Sequence, residues 1–142
     1  MNEQESISAA RAAFPRGLEQ PGGALRFGLD ALLLAAFAAR HCEERRARLS
    51  QATAQTLRLS VAELGCGCGA ALLALALRCP EVSGQGLERE ESLLAAARRN
   101  AVALGLEQRL RFLHTDLAEL RPESERKLAP DLVLANPPYG LP

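Results

Sequence analysis

The sequence has no excess of charge of either sign, because 17 Lys and Arg residues balance 17 Asp and Glu residues. Overall basicity therefore cannot draw the protein onto nucleic acid, and a polynucleotide substrate needs a local basic patch. Long hydrophobic runs are also missing. The longest, at residues 31–39, has nine residues, whereas a membrane-spanning helix needs roughly 18 or more. The sequence predicts no membrane span and no membrane partner.

Cysteine and targeting features are equally sparse. Residues 1–6 contain two glutamates and no basic residue, which is unlike a secretory signal and favours a cytoplasmic location. The four cysteines are Cys42, Cys66, Cys68 and Cys79. Zinc sites commonly use two separated pairs of ligands, and a lone Cys-x-Cys at residues 66–68 does not supply them. We expect buried, reduced thiols and no metal site.

What is present has the composition of one globular domain: 142 residues, of which 48% are hydrophobic and 24% charged. Residues 1–13 are polar and alanine-rich and form a frayed or helical lead-in, which leaves residues 14–142 for the domain. The Pro-Gly-Gly at residues 21–23 predicts a turn. We expect a small hairpin and then a helix from Asp30, together covering residues 17–48.

Residues 57–142 alternate between apolar strand-like segments and amphipathic helical segments. Strands joined by helices of this length form parallel sheets with right-handed crossovers. The sequence therefore predicts an α/β, Rossmann-like fold with helices on both faces of the sheet, whose ligands bind beyond the carboxyl ends of the strands. The expected strands are residues 57–64, 82–87, 110–114 and 131–135, and the expected helices are residues 70–77 and 90–104.

The first strand ends in Glu-Leu-Gly-Cys-Gly-Cys-Gly at residues 63–69, followed by a helix. Three glycines allow a sharp turn and close approach of a ligand to the backbone, which favours a nucleoside cofactor. Gly65, Gly67 and Ala70 also satisfy the dinucleotide-binding pattern. Glu88, 23 residues beyond Gly65, stands where an acid binds ribose hydroxyls. The turn by itself fits both NAD and S-adenosylmethionine.

Two further carboxylates favour S-adenosylmethionine. A negative charge on Glu63, at the end of the first strand, would attract the ammonium group of a methionine moiety and repel a pyrophosphate. Asp116, at the end of the third strand, is placed to accept a hydrogen bond from an adenine amino group. The alternative role of Asp116 is an N-cap for residues 117–120.

The fourth strand leads into Asn-Pro-Pro-Tyr at residues 136–139. Proline has no N–H and a fixed φ, so nearby carbonyls can face a substrate. The side-chain oxygen of Asn136 and the carbonyl of Pro137 can accept both protons of an exocyclic amine, which favours a nucleophilic nitrogen. Methyl transfer then depends mainly on alignment, and Tyr139 can stack on a flat base. The predicted catalytic residues are Asn136, Pro137, Pro138 and Tyr139.

In this order, the motifs resemble the N-terminal part of a class I S-adenosylmethionine-dependent methyltransferase that modifies amino groups. Residues 20–21 and 26–35 resemble the segment ahead of the glycine turn in bacterial tRNA adenine-N6 methyltransferases that act on a valine tRNA. The resemblance covers roughly residues 14–140. It implies S-adenosyl-L-methionine as cofactor, with the ribose at Glu88 and the adenine at Asp116. The implied cofactor-binding residues are Gly28, Asp30, Glu63, Gly65, Cys66, Gly67, Gly69, Glu88 and Asp116.

The resemblance also implies about seven strands in the order 3-2-1-4-5-7-6, whereas this sequence ends at Pro142, just after the fourth strand. We therefore expect the order 3-2-1-4, truncated before strands 5–7, in a fragment of a longer enzyme. The fourth strand would then be an edge without charge or proline, which predicts self-association.

The function that the resemblance implies is methyl transfer to the exocyclic N6 amine of adenine in RNA, with tRNA as the favoured substrate. Asn-Pro-Pro-Tyr suits adenine in DNA or a glutamine amide in a protein equally well. A cofactor-binding module without turnover is a further alternative, because the later strands are missing. An NAD-dependent reductase is a third possibility, which binding of nicotinamide without S-adenosylmethionine would support.

Overall fold

The computed structural model describes residues 2–24, 26–50, 58–121, 123 and 129–137. Within these ranges, four parallel strands form one sheet in the order β3-β2-β1-β4, as predicted. The predicted strand positions differ from the observed ones by two residues or fewer. The strands are β1 (Leu59–Leu64), β2 (Val82–Glu88), β3 (Leu110–His114) and β4 (Leu132–Ala135).

Helices connect the strands and pack on the core face of the sheet. The lead-in forms a helix whose N-terminus is capped reciprocally by Asn2 and Glu5. The helices are α1 (Glu3–Ala13), α2 (Leu29–Ser50), α3 (Ala70–Arg78) and α4 (Glu91–Ala103), and a 3-10 helix spans Leu117–Glu119. None of the helices in the described ranges is long and apolar enough to cross a membrane.

The prediction of a small hairpin in residues 17–27 is wrong, because the described residues of this segment form turns and irregular backbone. Side chains take up backbone donors that a hairpin would have paired. The N–H of Glu19 donates to Oδ1 of Asn100 at 2.7 Å, and the N–H of Phe27 donates to Oε1 of Gln20 at 3.2 Å. Leu18 and Phe27 pack against the core. Contacts with α4 and the core, together with a hydrogen bond inside the segment, therefore take the place of strand pairing.

The main core lies between the helices and one face of the sheet. Strand residues that enter it, such as Val61, Leu110 and Phe112, alternate along their strands and share a face. Glycines at two positions of β2 make this packing possible. A Cβ at Gly84 would lie 2.9 Å from Cδ1 of Leu72, and one at Gly86 would lie 2.7 Å from Cδ1 of Phe112. The packing of the core against β2 therefore requires glycine at both positions.

The opposite face of the sheet carries Arg111, Leu113 and Val133, all exposed in the described part of the chain. Helices α3 and α4 contact the strands from the core face, so helices on the second face stay a prediction. Val133 lies on β4, which is an edge of the sheet as described. Self-association through this strand also stays a prediction.

Candidate cofactor and substrate site

The glycine turn (residues 65–69) and Asn136 meet at the carboxyl edge of the sheet. Strands β1 and β4 are neighbours, with Leu64 paired to Ala135, so the residues that follow them lie side by side. A cavity of about 420 Å³ and another of about 630 Å³ both contact Gly65, Gly67 and Asn136. The predicted strand order, which makes β1 and β4 neighbours, is confirmed, and it places Asn136 beside the glycine turn.

Backbone conformation explains the glycines of the turn. Gly65 and Gly67 have φ values of +65° and +56°, which other residues adopt only with strain. A Cβ on either residue would meet no atom within 4 Å, so open space faces the turn there. Helix α3 begins directly after it, without a side-chain hydrogen bond at its N-cap Gly69. The turn thus offers close backbone approach and a helix N-terminus, which suits an anionic or nucleoside ligand.

Glu88 holds the glycine turn against the end of β2. Its Oε2 accepts from the N–H of Gly67 at 2.8 Å, and its Oε1 accepts from the N–H of Glu90 at 2.9 Å. The residue is 8% exposed and lines the larger cavity. Its predicted contact with ribose hydroxyls stays a prediction, and its structural role here is to fix Gly67.

Glu63 lines the smaller cavity, and its burial opposes the negative charge expected of it. The residue is 3% exposed, and its Oε2 accepts from the N–H of Leu72 in α3 at 3.1 Å. Burial raises the pKa of Glu63 to about 8, and the nearby Glu88 carboxylate contributes in the same direction. Burial therefore favours the protonated form of this carboxyl. The structure places Glu63 at the end of β1, and its contact with the ammonium group of a methionine moiety stays a prediction.

Asp30 and Asn136 form a direct contact in the lining of the smaller cavity. Nδ2 of Asn136 donates to Oδ2 of Asp30 at 2.8 Å. This hydrogen bond lowers the pKa of Asp30 below its ordinary value. Gly28 lies beside the pair, and a Cβ there would be 2.5 Å from Oδ1 of Asp30. Because 106 residues separate the partners, no local sequence pattern predicted their contact.

Asp116 is the N-cap of the 3-10 helix, which is the alternative role that the sequence predicts for this residue. Its Oδ1 accepts from the N–H of Ala118 at 2.9 Å. The same residue lines the larger cavity with Glu88. Both roles are compatible because a carboxylate has several acceptor positions, and the contact with adenine stays a prediction.

The cysteines are buried free thiols, as expected. Cys66 lines the smaller cavity, and burial raises the pKa of its thiol, so it is not a reactive thiolate. The described residues contain no group of three or more His, Cys, Asp or Glu side chains that could hold a metal ion.

The remaining predicted residues divide into two groups. Pro137 lines the smaller cavity, whereas Pro138 and Tyr139 lie outside the described residues. Several lining residues were not assigned to the cofactor site from sequence. Arg26 is the first residue of the stretch at residues 26–35 that resembles the methyltransferases, so its place in that stretch is a usable indication. The others include Phe27, Ala71, Ser92 and Thr115.

Parts of this sequence are similar to known proteins. A family model described as a methyltransferase domain matches residues 61–136. A release factor glutamine methyltransferase from Caulobacter vibrioides is 40% identical over 81 residues, which are 56% of this chain and 26% of that protein. A tRNA1(Val) (adenine(37)-N6)-methyltransferase from Pedobacter heparinus is 29% identical over 122 residues, or 86% of this chain and 44% of that protein. The chain thus spans less than half the length of these two relatives.

A solved structure supports the fold. The N-terminal domain of human METTL16, in complex with SAH, aligns with a TM-score of 0.65 and 15% identity, covering 96% of this chain and 52% of that one. Similarity at this identity concerns the fold. The family match covers more than half of this chain and includes both the glycine turn and Asn136. The chain therefore belongs to the methyltransferase domain family, as a class I S-adenosylmethionine-dependent methyltransferase domain.

Proposed function

We propose that this domain binds S-adenosyl-L-methionine along the glycine turn and takes part in methyl transfer to an exocyclic amine held at Asn136. The observation that carries the proposal is the pair of cavities that share Gly65, Gly67 and Asn136. The methionine part fits the smaller cavity, beside Glu63 and the start of α3. The nucleoside part fits the larger cavity, which Glu88 and Asp116 line.

The cofactor supplies an electrophilic methyl group, and the chain's residues align the acceptor. In this proposal the side-chain oxygen of Asn136 and the carbonyl of Pro137 accept the two N–H groups of the target amine. The nitrogen lone pair is then directed at the methyl group, so that the N–CH3 bond would form as the S–CH3 bond breaks and S-adenosylhomocysteine leaves. The methylated nitrogen would release one proton to solvent, and alignment would supply most of the rate enhancement. The residues proposed to bind the target amine are Asn136, Pro137, Pro138 and Tyr139.

We favour adenine in tRNA as the acceptor. The similarity to the Pedobacter heparinus protein extends over 122 residues, more than residues 57–142 can supply. It therefore requires residues ahead of β1, where the stretch at residues 26–35 resembles this class of enzyme. Five residues of that stretch, Gly28 and Asp30 among them, line the smaller cavity, which Asn136 also lines.

A glutamine amide in a protein is the second candidate. The observation that favours it is the higher identity, 40% over 81 residues, to the Caulobacter vibrioides protein. A primary amide and the adenine amine each present two N–H donors on a planar group. The same two acceptors, at Asn136 and Pro137, could therefore serve either substrate.

Methyl-labelled S-adenosylmethionine offered with separate pools of tRNA, DNA and release-factor protein tests the proposal. We expect label in tRNA, recovered as N6-methyladenosine by nucleoside mass spectrometry, and loss of that label in Asn136→Ala. Label in protein alone would replace adenine by the glutamine amide, and label in DNA alone would replace RNA by DNA. Cofactor binding by calorimetry without label in any pool would indicate a binding module and contradict the catalytic proposal.

A further inference from the structure

The amide of Asn136 is held at one end. Its Nδ2 donates to Oδ2 of Asp30 at 2.8 Å. An ionised carboxylate can only accept hydrogen bonds, so the amide must turn its NH2 group towards Asp30. The oxygen Oδ1 of Asn136 consequently points away from Asp30.

We propose that Asp30 is a positioning residue, which orients the Asn136 amide so that Oδ1 faces the target amine. This inference rests on the proposed function, in which Asn136 accepts an N–H from that amine. The reverse orientation would present an N–H donor to another N–H donor and lose the hydrogen bond. The orientation of one amide would thus decide whether the acceptor is aligned.

The surroundings of Asp30 support this role. The carboxylate lies against the backbone of Gly28, where a Cβ would approach Oδ1 to 2.5 Å. Hydrogen bonding to Asn136 lowers the pKa of Asp30, and backbone groups of Ala31 and Gly28 contribute in the same direction. Asp30 therefore stays an acceptor at neutral pH. The absence of a side chain at Gly28 leaves room for the carboxylate to reach Asn136.

This role differs measurably from the contact with the cofactor that the family resemblance implies for Asp30. A residue that acts through Asn136 affects the transfer step at saturating cofactor. A residue that contacts the cofactor affects its binding affinity instead. The two roles therefore separate in kcat and in the dissociation constant of the cofactor.

The kinetic test compares Asp30→Ala and Asp30→Asn with wild type, using the acceptor that the labelling experiment identifies. For Asp30→Ala we expect kcat to fall roughly ten- to hundred-fold, because the amide loses a charge-assisted hydrogen bond. Calorimetric affinity for S-adenosylhomocysteine should stay within about three-fold. Asp30→Asn should recover part of kcat, because its side-chain oxygen can still accept from Nδ2.

A second readout does not depend on activity. In ¹⁵N-labelled protein, the side-chain NH2 resonances of Asn136 are assigned by their loss in Asn136→Ala. We expect Asp30→Ala to shift these resonances and speed their hydrogen exchange. Gly28→Ala should shift them too, because its Cβ displaces the carboxylate. Glu91→Ala is the matched control: this exposed acid in the first turn of α4 should leave kcat and the resonances unchanged.

Two results would overturn the proposal. One is an unchanged kcat in Asp30→Ala at saturating cofactor, whether or not the affinity for S-adenosylhomocysteine falls. The other is unchanged Asn136 resonances in Asp30→Ala. If wild type methylates no acceptor, the proposed function fails by itself. The resonances then decide separately whether Asp30 orients Asn136: a shift supports that part, and no shift rejects it.

Discussion

The two walls of the smaller cavity are built differently. The first wall is the glycine turn with Glu63, a residue that is 3% exposed and accepts a backbone N–H from α3. Glu88, which lines the larger cavity, holds this turn by accepting from the N–H of Gly67. The second wall is the pair Asp30–Asn136, in which an exposed carboxylate accepts from a half-buried amide. The first wall is continuous with the core, whereas the second is a surface feature held by a side-chain hydrogen bond.

This difference separates two requirements of a transferase site. A small cofactor is bound well by backbone groups that the core holds rigidly, because little ordering remains to be done on binding. A macromolecular acceptor has to reach its wall from solvent, so that wall lies at the surface. Changes at the first wall should therefore alter folding and cofactor affinity. Changes at the second wall should alter transfer while leaving both of these intact.

Among these predictions, Glu63→Gln in the first wall should have the largest effect, a change in the free energy of unfolding that depends on pH. A folded-state pKa of about 8, raised from 4.5, means that the folded protein holds this proton more tightly than the unfolded chain does. The free energy of unfolding of wild type therefore falls as the pH rises from about 4.5 to 8. Gln cannot ionise and keeps an acceptor for the N–H of Leu72. The variant should match wild type near pH 4.5 and exceed it by about 3 to 5 kcal/mol above pH 8.

Urea unfolding at pH 4.5, 7 and 9 measures this difference. Glu91→Gln serves as the control for an exposed carboxylate and should show no such dependence on pH. Equal stability of wild type and Glu63→Gln at pH 9 would mean that ionising Glu63 does not lower the free energy of unfolding. Glu63 would then behave like the exposed carboxylate of the second wall.

The next largest effect is expected from Glu88→Ala. This change leaves the N–H groups of Gly67 and Glu90 without their carboxylate acceptor, so the glycine turn is no longer fixed. Affinity for S-adenosylhomocysteine should fall by about 100-fold, as expected for the loss of charge-assisted hydrogen bonds. Isothermal titration calorimetry measures it, with Glu91→Ala as control. An affinity within three-fold of wild type would contradict the role of Glu88 in holding the turn.

The smallest effect on folding and cofactor binding is expected from Asn136→Ala. The side chain is half-buried and donates to an exposed partner, so the free energy of unfolding should change by less than about 0.5 kcal/mol. Cofactor affinity should stay within three-fold, while methyl transfer to tRNA is lost. Parallel urea and calorimetry measurements check this. A large loss of stability would show that this wall, too, belongs to the core.

Sequence patterns predicted the elements that depend on local periodicity. The strand at residues 110–114 and the start of the helix at residue 70 coincide with β3 and α3, because alternation and glycine-turn signals act over a few residues. The prediction of a hairpin in residues 17–27 failed because a turn signal does not specify which groups the flanking backbone bonds to. The contact with Asn100, about 80 residues away, takes up the N–H of Glu19.

The sequence by itself determined the parallel α/β arrangement and the motifs at the carboxyl ends of β1 and β4. Both follow from short-range hydrophobic patterning and from the backbone freedom of glycine. Tertiary structure decided that burial raises the pKa of Glu63, that Glu88 holds Gly67, and that Asp30 meets Asn136. These properties depend on desolvation and on contacts between distant segments, and both arise only when the helices close over the sheet.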